Sequence, residues 1–129
     1  MNRERLQILR DHLASLPDER VRMAAFVTYN EADVYCEQPI REVLNDCGTA
    51  ACVAGWTNFL FYPERPEVEL LSDEARAALS LTGEQAHGLF FPAEWSGGHI
   101  TRSDAIAAIQ SMLDSPDDDA LPVWPEAGQ

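Results

Sequence analysis

The residues of this chain best suited to chemistry are Cys47 and Cys52, which lie in the run Asp46-Cys47-Gly48-Thr49-Ala50-Ala51-Cys52-Val53-Ala54-Gly55-Trp56. A thiol at the start of a helix meets the positive end of the helix dipole, which lowers its pKa and makes the thiolate available as a nucleophile or ligand. Cys47 stands in that place if the helix expected over residues 48–61 begins after it. Asp46 opposes the effect, because a neighbouring carboxylate disfavours a thiolate. Cys52 falls one to two turns inside the same expected helix, so a disulfide between the two requires Cys47 to lie outside it. The competing reading makes both cysteines small apolar side chains in a crowded helix contact. That reading is adopted here: Cys47 and Cys52 are expected to be structural, reduced and metal-free, and no cofactor is assigned.

Three other site chemistries are weighed against it. Asp46-Cys47 at a helix start, with Gly98-His99-Ile100 downstream, is similar to the Cys/His arrangement of NlpC/P60 and papain-like hydrolases, which implies Cys47 as nucleophile and His99 as its base. The departure is that the histidine of those families comes from a β-sheet, whereas the stretch between Trp56 and His99 reads as helical and broken by prolines. A zinc site from Cys47, Cys52, His87 and His99 lacks the usual ligand spacing of about two to four residues. His87, beside Leu89 on a helix, reads as a packed histidine. The acidic run Asp117-Asp118-Asp119 lacks the glycine and closing glutamate of a calcium loop. No phosphate-binding glycine loop or nucleotide fingerprint is present.

These residues need elements to position them. Leu6, Leu9, Leu13 and Leu16 recur at helical spacing over residues 2–16, with Asn2 as N-cap and Pro17 as stop. Residues 28–46 read as a long loop, with one helical turn from Pro39 to Leu44. In the central helix, 48–61, Cys52, Val53, Trp56, Phe59 and Leu60 form the apolar stripe, and Gly48, Ala51, Ala54 and Gly55 keep one side small enough for another backbone to approach. Trp56 is expected to be buried and to anchor the core between the first helix and the Leu79–Phe90 region. Ser72-Asp73-Glu74 starts a further helix, and Thr82-Gly83-Glu84-Gln85 is a capping box with Leu81 as a staple to Ala86. Thr101 and Asp104 open the last helix, whose Ile106, Ile109 and Leu113 are expected to face the core. No two-residue alternation marks a strand. The chain is therefore expected to be all-α: one small domain of about five helices packed round the central Cys/Gly/Trp helix over residues 1–116, followed by an acidic, proline-containing tail, 117–129, that frays.

Composition narrows the partners. Hydrophobic residues make up 46% of the 129, enough for one ordinary core. The net charge is −13, and every basic residue is an arginine. Residues 1–41 carry a net −1 and residues 42–129 a net −12. Such a surface repels nucleic-acid phosphates and anionic lipid, so direct nucleic-acid binding and membrane docking are not expected, and a basic protein partner is. Three cysteines, with no apolar run behind Met1-Asn2-Arg3-Glu4-Arg5, point to a cytoplasmic protein with reduced thiols.

The run Cys47-Gly48-Thr49-x-x-Cys52-x-Ala54-Gly55-Trp56 resembles a motif of small bacterial and phage proteins. In those it follows a leucine-rich helix and a Pro-to-Met segment, here Pro17 to Met23. It precedes a helix of the kind formed by Leu79, Leu81, Thr82, Leu89 and Phe90. The resemblance spans roughly residues 6–113 and implies a helical domain of phage or bacterial type. It assigns no activity. The function expected on these grounds is a non-enzymatic acidic protein-binding module, of the phage or prophage accessory kind, that engages a basic host protein. The alternative is the thiol hydrolase using Cys47 and His99.

Overall fold

In a computed structural model of the chain, the first helix begins where the cap chemistry places it. The Asn2 side chain accepts from the Arg5 N–H, and α1 runs Arg3–Ser15 with Leu6, Leu9 and Leu13 fully buried. The structure describes residues 1–21, 27–29, 32–33, 39–40, 49–65, 72–90 and 101–125. A 3-10 turn, Asp18–Arg20, follows Pro17. The further helices that lie in full among the described residues are α2 (Val53–Phe61), α3 (Ser72–Leu79), α4 (Gly83–Phe90) and α5 (Arg102–Asp114). Helices dominate the described residues, in one small domain, as the all-α patterning implies. No helix among the described residues is long and apolar enough to cross a membrane.

Two features depart from the expected elements. Val27–Tyr29 (β1), Ala32–Asp33 (β2) and Thr49–Ala51 (β3) form a small antiparallel sheet ordered β2-β1-β3, with Thr28 opposite Asp33 and Val27 opposite Ala51. Part of the expected loop is therefore paired strand. The central helix is also shorter than expected. It starts at Val53, because residues 49–51 take up pairing with β1, which overrides the helix preference of two alanines. Ala51 is thus a strand residue, not part of a small helix face, and Gly48 lies outside the described residues. Of the expected turn from Pro39 to Leu44, only residues 39–40 are described. Ile40 is buried, and its N–H donates to the Arg65 carbonyl at 2.9 Å.

The core unites α1, α2, α3, α4 and α5. α3 and α4 form a helical hairpin. Its corner is Ser80, the one non-glycine residue at positive φ (54°) among those described. Ser80 N–H donates to Ala77 and Leu81 N–H to the Arg76 carbonyl, the pattern of a left-handed helix cap that glycine usually occupies. The Arg76 guanidinium also donates to the Leu81 carbonyl. Asn2 N–H donates to Leu79 O at 2.7 Å, fixing the start of α1 to the end of α3. Both expected capping boxes are present, at Thr82/Gln85 and Thr101/Asp104. In α5 the buried stripe is Ala105, Ala108, Ile109 and Met112, with Ile106 and Leu113 at its margins. The alanines let α1 and α5 pack closely, and so the stripe is turned from the expected one.

The tail is bound, not frayed, as far as residue 125. Gln85 is fully buried, and its amide nitrogen donates to the carbonyls of Asp118 (3.0 Å) and Ala120 (2.8 Å). Trp124 donates its indole N–H to Gly88 O at 2.8 Å, and Val123 N–H donates to Ser111 Oγ. Residues 117–125 thus form a strap across α4 and α5. Gln85→Ala removes both donors and half of a capping box while leaving the apolar core intact. We expect a loss of about 1–3 kcal/mol, the cost of orphaned acceptors and a weakened cap. Faster amide exchange at residues 118–124 than in the rest of the fold would accompany it, and unchanged exchange there would show that the strap is held by other means.

Candidate functional site

Of the residues singled out by the sequence, Cys47, Gly48 and His99 lie outside the described residues, so the structure neither joins nor separates the Cys47/His99 pair. Thr49 lies in β3. Cys52, Gly55 and Trp56 sit at the head of α2, all buried. Cys52 rather than Cys47 holds the helix N-cap. Its backbone is extended (φ −76°, ψ 179°), and its carbonyl accepts the first helical bond, from Trp56 N–H at 3.0 Å. The dipole argument made for Cys47 thereby passes to Cys52, where burial outweighs it. Removal from water pushes the thiol up from its ordinary value, against the opposing pull of the Gly55, Ala54 and Cys52 backbone N–H groups. Cys52 is a protonated, buried thiol, unsuited to nucleophilic attack.

Of the four residues weighed as a zinc site, Cys47 and His99 lie outside the described residues. His87 is exposed on α4, not packed as its neighbours suggested. Among the described residues, no three of the His, Cys, Asp and Glu side chains converge as a metal site.

What the motif does build is a ring cluster. The Trp56 indole is 1% exposed, and its N–H donates to the Arg20 carbonyl at 2.8 Å. Phe59 meets it edge-on with ring centres 5.2 Å apart. His12, on α1, stacks on Phe59 at 5.6 Å and tilts against Trp56 at 5.2 Å. The Arg20 guanidinium lies over the indole at 5.3 Å, a cation–π contact. His12 was missed by the sequence reading. Its position between Leu9 and Leu16 on the apolar stripe was the signal available.

His12 Nε2 is buried and meets no hydrogen-bond partner among the described residues. Burial, and then the charge of Arg20, hold the imidazole below its ordinary 6.5. The folded state therefore disfavours the proton that the unfolded chain takes up below pH 6.5. Stability rises with pH through this window and is lost as pH falls from 6.5 toward the folded value. We expect the melting temperature to drop on acidification from pH 7 to about 5, above the usual carboxylate range. His12→Phe, which keeps the ring contacts and removes the titrating group, should flatten that slope. An equal slope in the variant would place its origin elsewhere.

A groove lies at the strap. Its volume is about 380 Å³, and it is lined by Gly83, Glu84, His87, Gly88, Leu121 and Pro122. Gly88 lets the strap approach closely, since a Cβ on it would stand 3.2 Å from the Pro122 ring and push that ring outward. Leu121 and Val123, 52% and 69% exposed, are two of the three large hydrophobic side chains that the described residues present to solvent. The groove sets the apolar Leu121 and Pro122 of the strap opposite Glu84 and His87 of α4.

The ring cluster makes its own claim on stability. Trp56→Phe retains most of the apolar contact but leaves the Arg20 carbonyl without its donor, which should cost about 1–3 kcal/mol in a urea melt. Trp56→Ala should cost about 3–5 kcal/mol. Equal, small losses for both would show that neither the N–H nor the ring anchors the core. Compared with protein-family models, with curated proteins and with solved structures, the chain matches none.

Proposed function

We propose that the protein is a non-enzymatic acidic binding module that engages a basic protein. The observation that carries this reading is how the chain uses its arginines. Every arginine among the described residues is tied to a partner within the chain. Arg3 bridges Asp118 and donates to Leu113 O, and Arg5 donates to Ala78 O with its guanidinium over Phe61. Arg10 engages Asp11 and Gln110, Arg76 donates to Leu81 O, and Arg102 bridges Asp18 and donates to Ala14 O. Arg20 and Arg65 cover the rings of Trp56 and Tyr62. These cations, with Arg5, Arg65 and Arg76 exposed among them, are engaged within the chain, while Glu4, Asp73, Glu84, Asp114, Asp117 and Asp119 are exposed. An exterior of that sign attracts cationic surfaces over about a Debye length and repels phosphates. The resemblance of the Cys-Gly-Thr motif to phage and bacterial proteins supports a role as a phage or prophage accessory protein acting on a basic host protein in the cytoplasm.

Immobilised protein should capture a lysate partner rich in Lys and Arg at low salt and release it as the ionic strength approaches about 1 M, where screening shortens to about 3 Å. A partner of no net basic character, or one retained at that salt, would overturn the reading. The alternative, a thiol hydrolase with Cys47 as nucleophile and His99 as base, is separated by alkylation. With Cys52 buried and protonated, rapid iodoacetamide labelling mapped to Cys47 near neutral pH would favour the enzyme.

A further inference from the structure

We propose that the groove between α4 and the C-terminal strap is where the basic partner docks, by a linear segment that seats one apolar side chain on Leu121 and Pro122 and sets flanking Lys or Arg residues against Glu84, Asp117 and Asp119. The proposal rests on the acidic-module reading above and adds a place and a recognition chemistry to it.

The geometry brings the two kinds of contact together. Gln85, fully buried, holds the strap carbonyls of residues 118 and 120 at the first turn of α4, so the exposed carboxylates of Asp117 and Asp119 stand at the same end of that helix as exposed Glu84. Trp124 pins the strap one turn further on, at Gly88 O. Between the two clamps lies the groove, whose volume of about 380 Å³ accommodates one or two side chains. The strap turns Leu121 and Val123 outward at its surface although its neighbours Pro122 and Trp124 are partly covered. An apolar seat beside carboxylates is complementary to an apolar residue flanked by cations. It is not complementary to a second copy of a chain with net charge −13. Recognition of this form uses the apolar anchor for affinity and the rim charges for encounter and register.

The test uses the full chain and a synthetic nine-residue peptide, labelled with fluorescein, carrying a central leucine with two arginines on each side and glycine spacers. Anisotropy is read at about 50 mM salt, where the Debye length exceeds 10 Å. Binding is expected, weakened about tenfold when the peptide leucine becomes alanine, on the scale of a buried anchor. The decisive variant is Leu121→Asp. Charge attraction alone predicts tighter binding of the cationic peptide, whereas the groove predicts binding weakened about tenfold. Glu84→Gln should weaken it severalfold, and Ile8→Ser, at the exposed apolar residue of α1, should leave it unchanged. Circular dichroism of each variant confirms that the fold is retained, and Leu121→Ser supplies a second reading should the aspartate disturb the strap.

Tighter binding by Leu121→Asp, or equal loss in Ile8→Ser, overturns the groove while leaving the acidic module standing. No binding of the cationic peptide by any form overturns both. Self-association of the free protein that Leu121→Asp abolishes, seen by sedimentation, assigns the groove to a second copy and also overturns the proposal.

Discussion

The constraint on which this fold turns is that Trp56 must be buried with its one polar atom satisfied. An indole removes a large apolar surface from water, yet its N–H cannot be buried unpaired without a penalty comparable to a lost hydrogen bond. One backbone acceptor, the Arg20 carbonyl, meets that need. The bond requires the turn Asp18–Arg20 to lie against α2, and Pro17 is the residue that ends α1 and turns the chain there. His12 and Phe59 then close on the ring from α1 and α2. A single donor thereby couples the first helix, the turn after it and the central helix, and the Cys52–Trp56 end of the motif packs into that coupling.

The absence of lysine has a physical counterpart in the same frame. Several arginines act as donors to main-chain carbonyls at helix ends and loops: Arg3 to Leu113, Arg5 to Ala78, Arg76 to Leu81, Arg102 to Ala14. A guanidinium offers a rigid fork of donors and a flat face for aromatic stacking, so one side chain reaches a carbonyl and a carboxylate, or a carbonyl and a ring, at once. Arg102 and Arg5 do this. An ammonium is a point charge without that reach. Cations so employed keep their charge, and the acidic exterior follows from the count of 22 acids against nine arginines.

What was legible in the sequence was the local chemistry. Helix starts at Asn2, Thr82 and Thr101 are encoded by a side chain and the N–H groups within three residues of it, and each is found in place. The leucine stripe of α1 and the burial of Trp56, Leu89 and Phe90 follow from periodicity alone. What escaped depends on partners distant in the chain. Thr49–Ala51 pairs with Val27–Tyr29, and no property of an alanine pair announces a strand. The stripe of α5 runs over Ala105 and Ala108, which are too small to register as core until a helix is seen against them. His12 escaped because its ring partners, Trp56 and Phe59, lie more than 40 residues further along the chain. The site followed the same rule. The dipole argument was sound, but the helix boundary moved it from Cys47 to Cys52, and burial then reversed its outcome.

Gln85 shows how a residue with a legible local role acquires a second one that no pattern reveals. Its backbone N–H and side-chain oxygen complete the reciprocal cap with Thr82, which leaves the amide nitrogen with two donors to place in a fully buried position. A glutamate at that position would serve the cap equally well but would bring an unpaired charge against two carbonyls. The amide instead donates to the carbonyls of Asp118 and Ala120, and the acidic, proline-bearing segment that looks solvated in sequence is held by its main chain there and by the Trp124 indole at Gly88 O. With its backbone held in this way, the strap is free to present Leu121 and its carboxylates outward. The groove it makes with α4 is therefore a consequence of how one buried amide completes its hydrogen bonds.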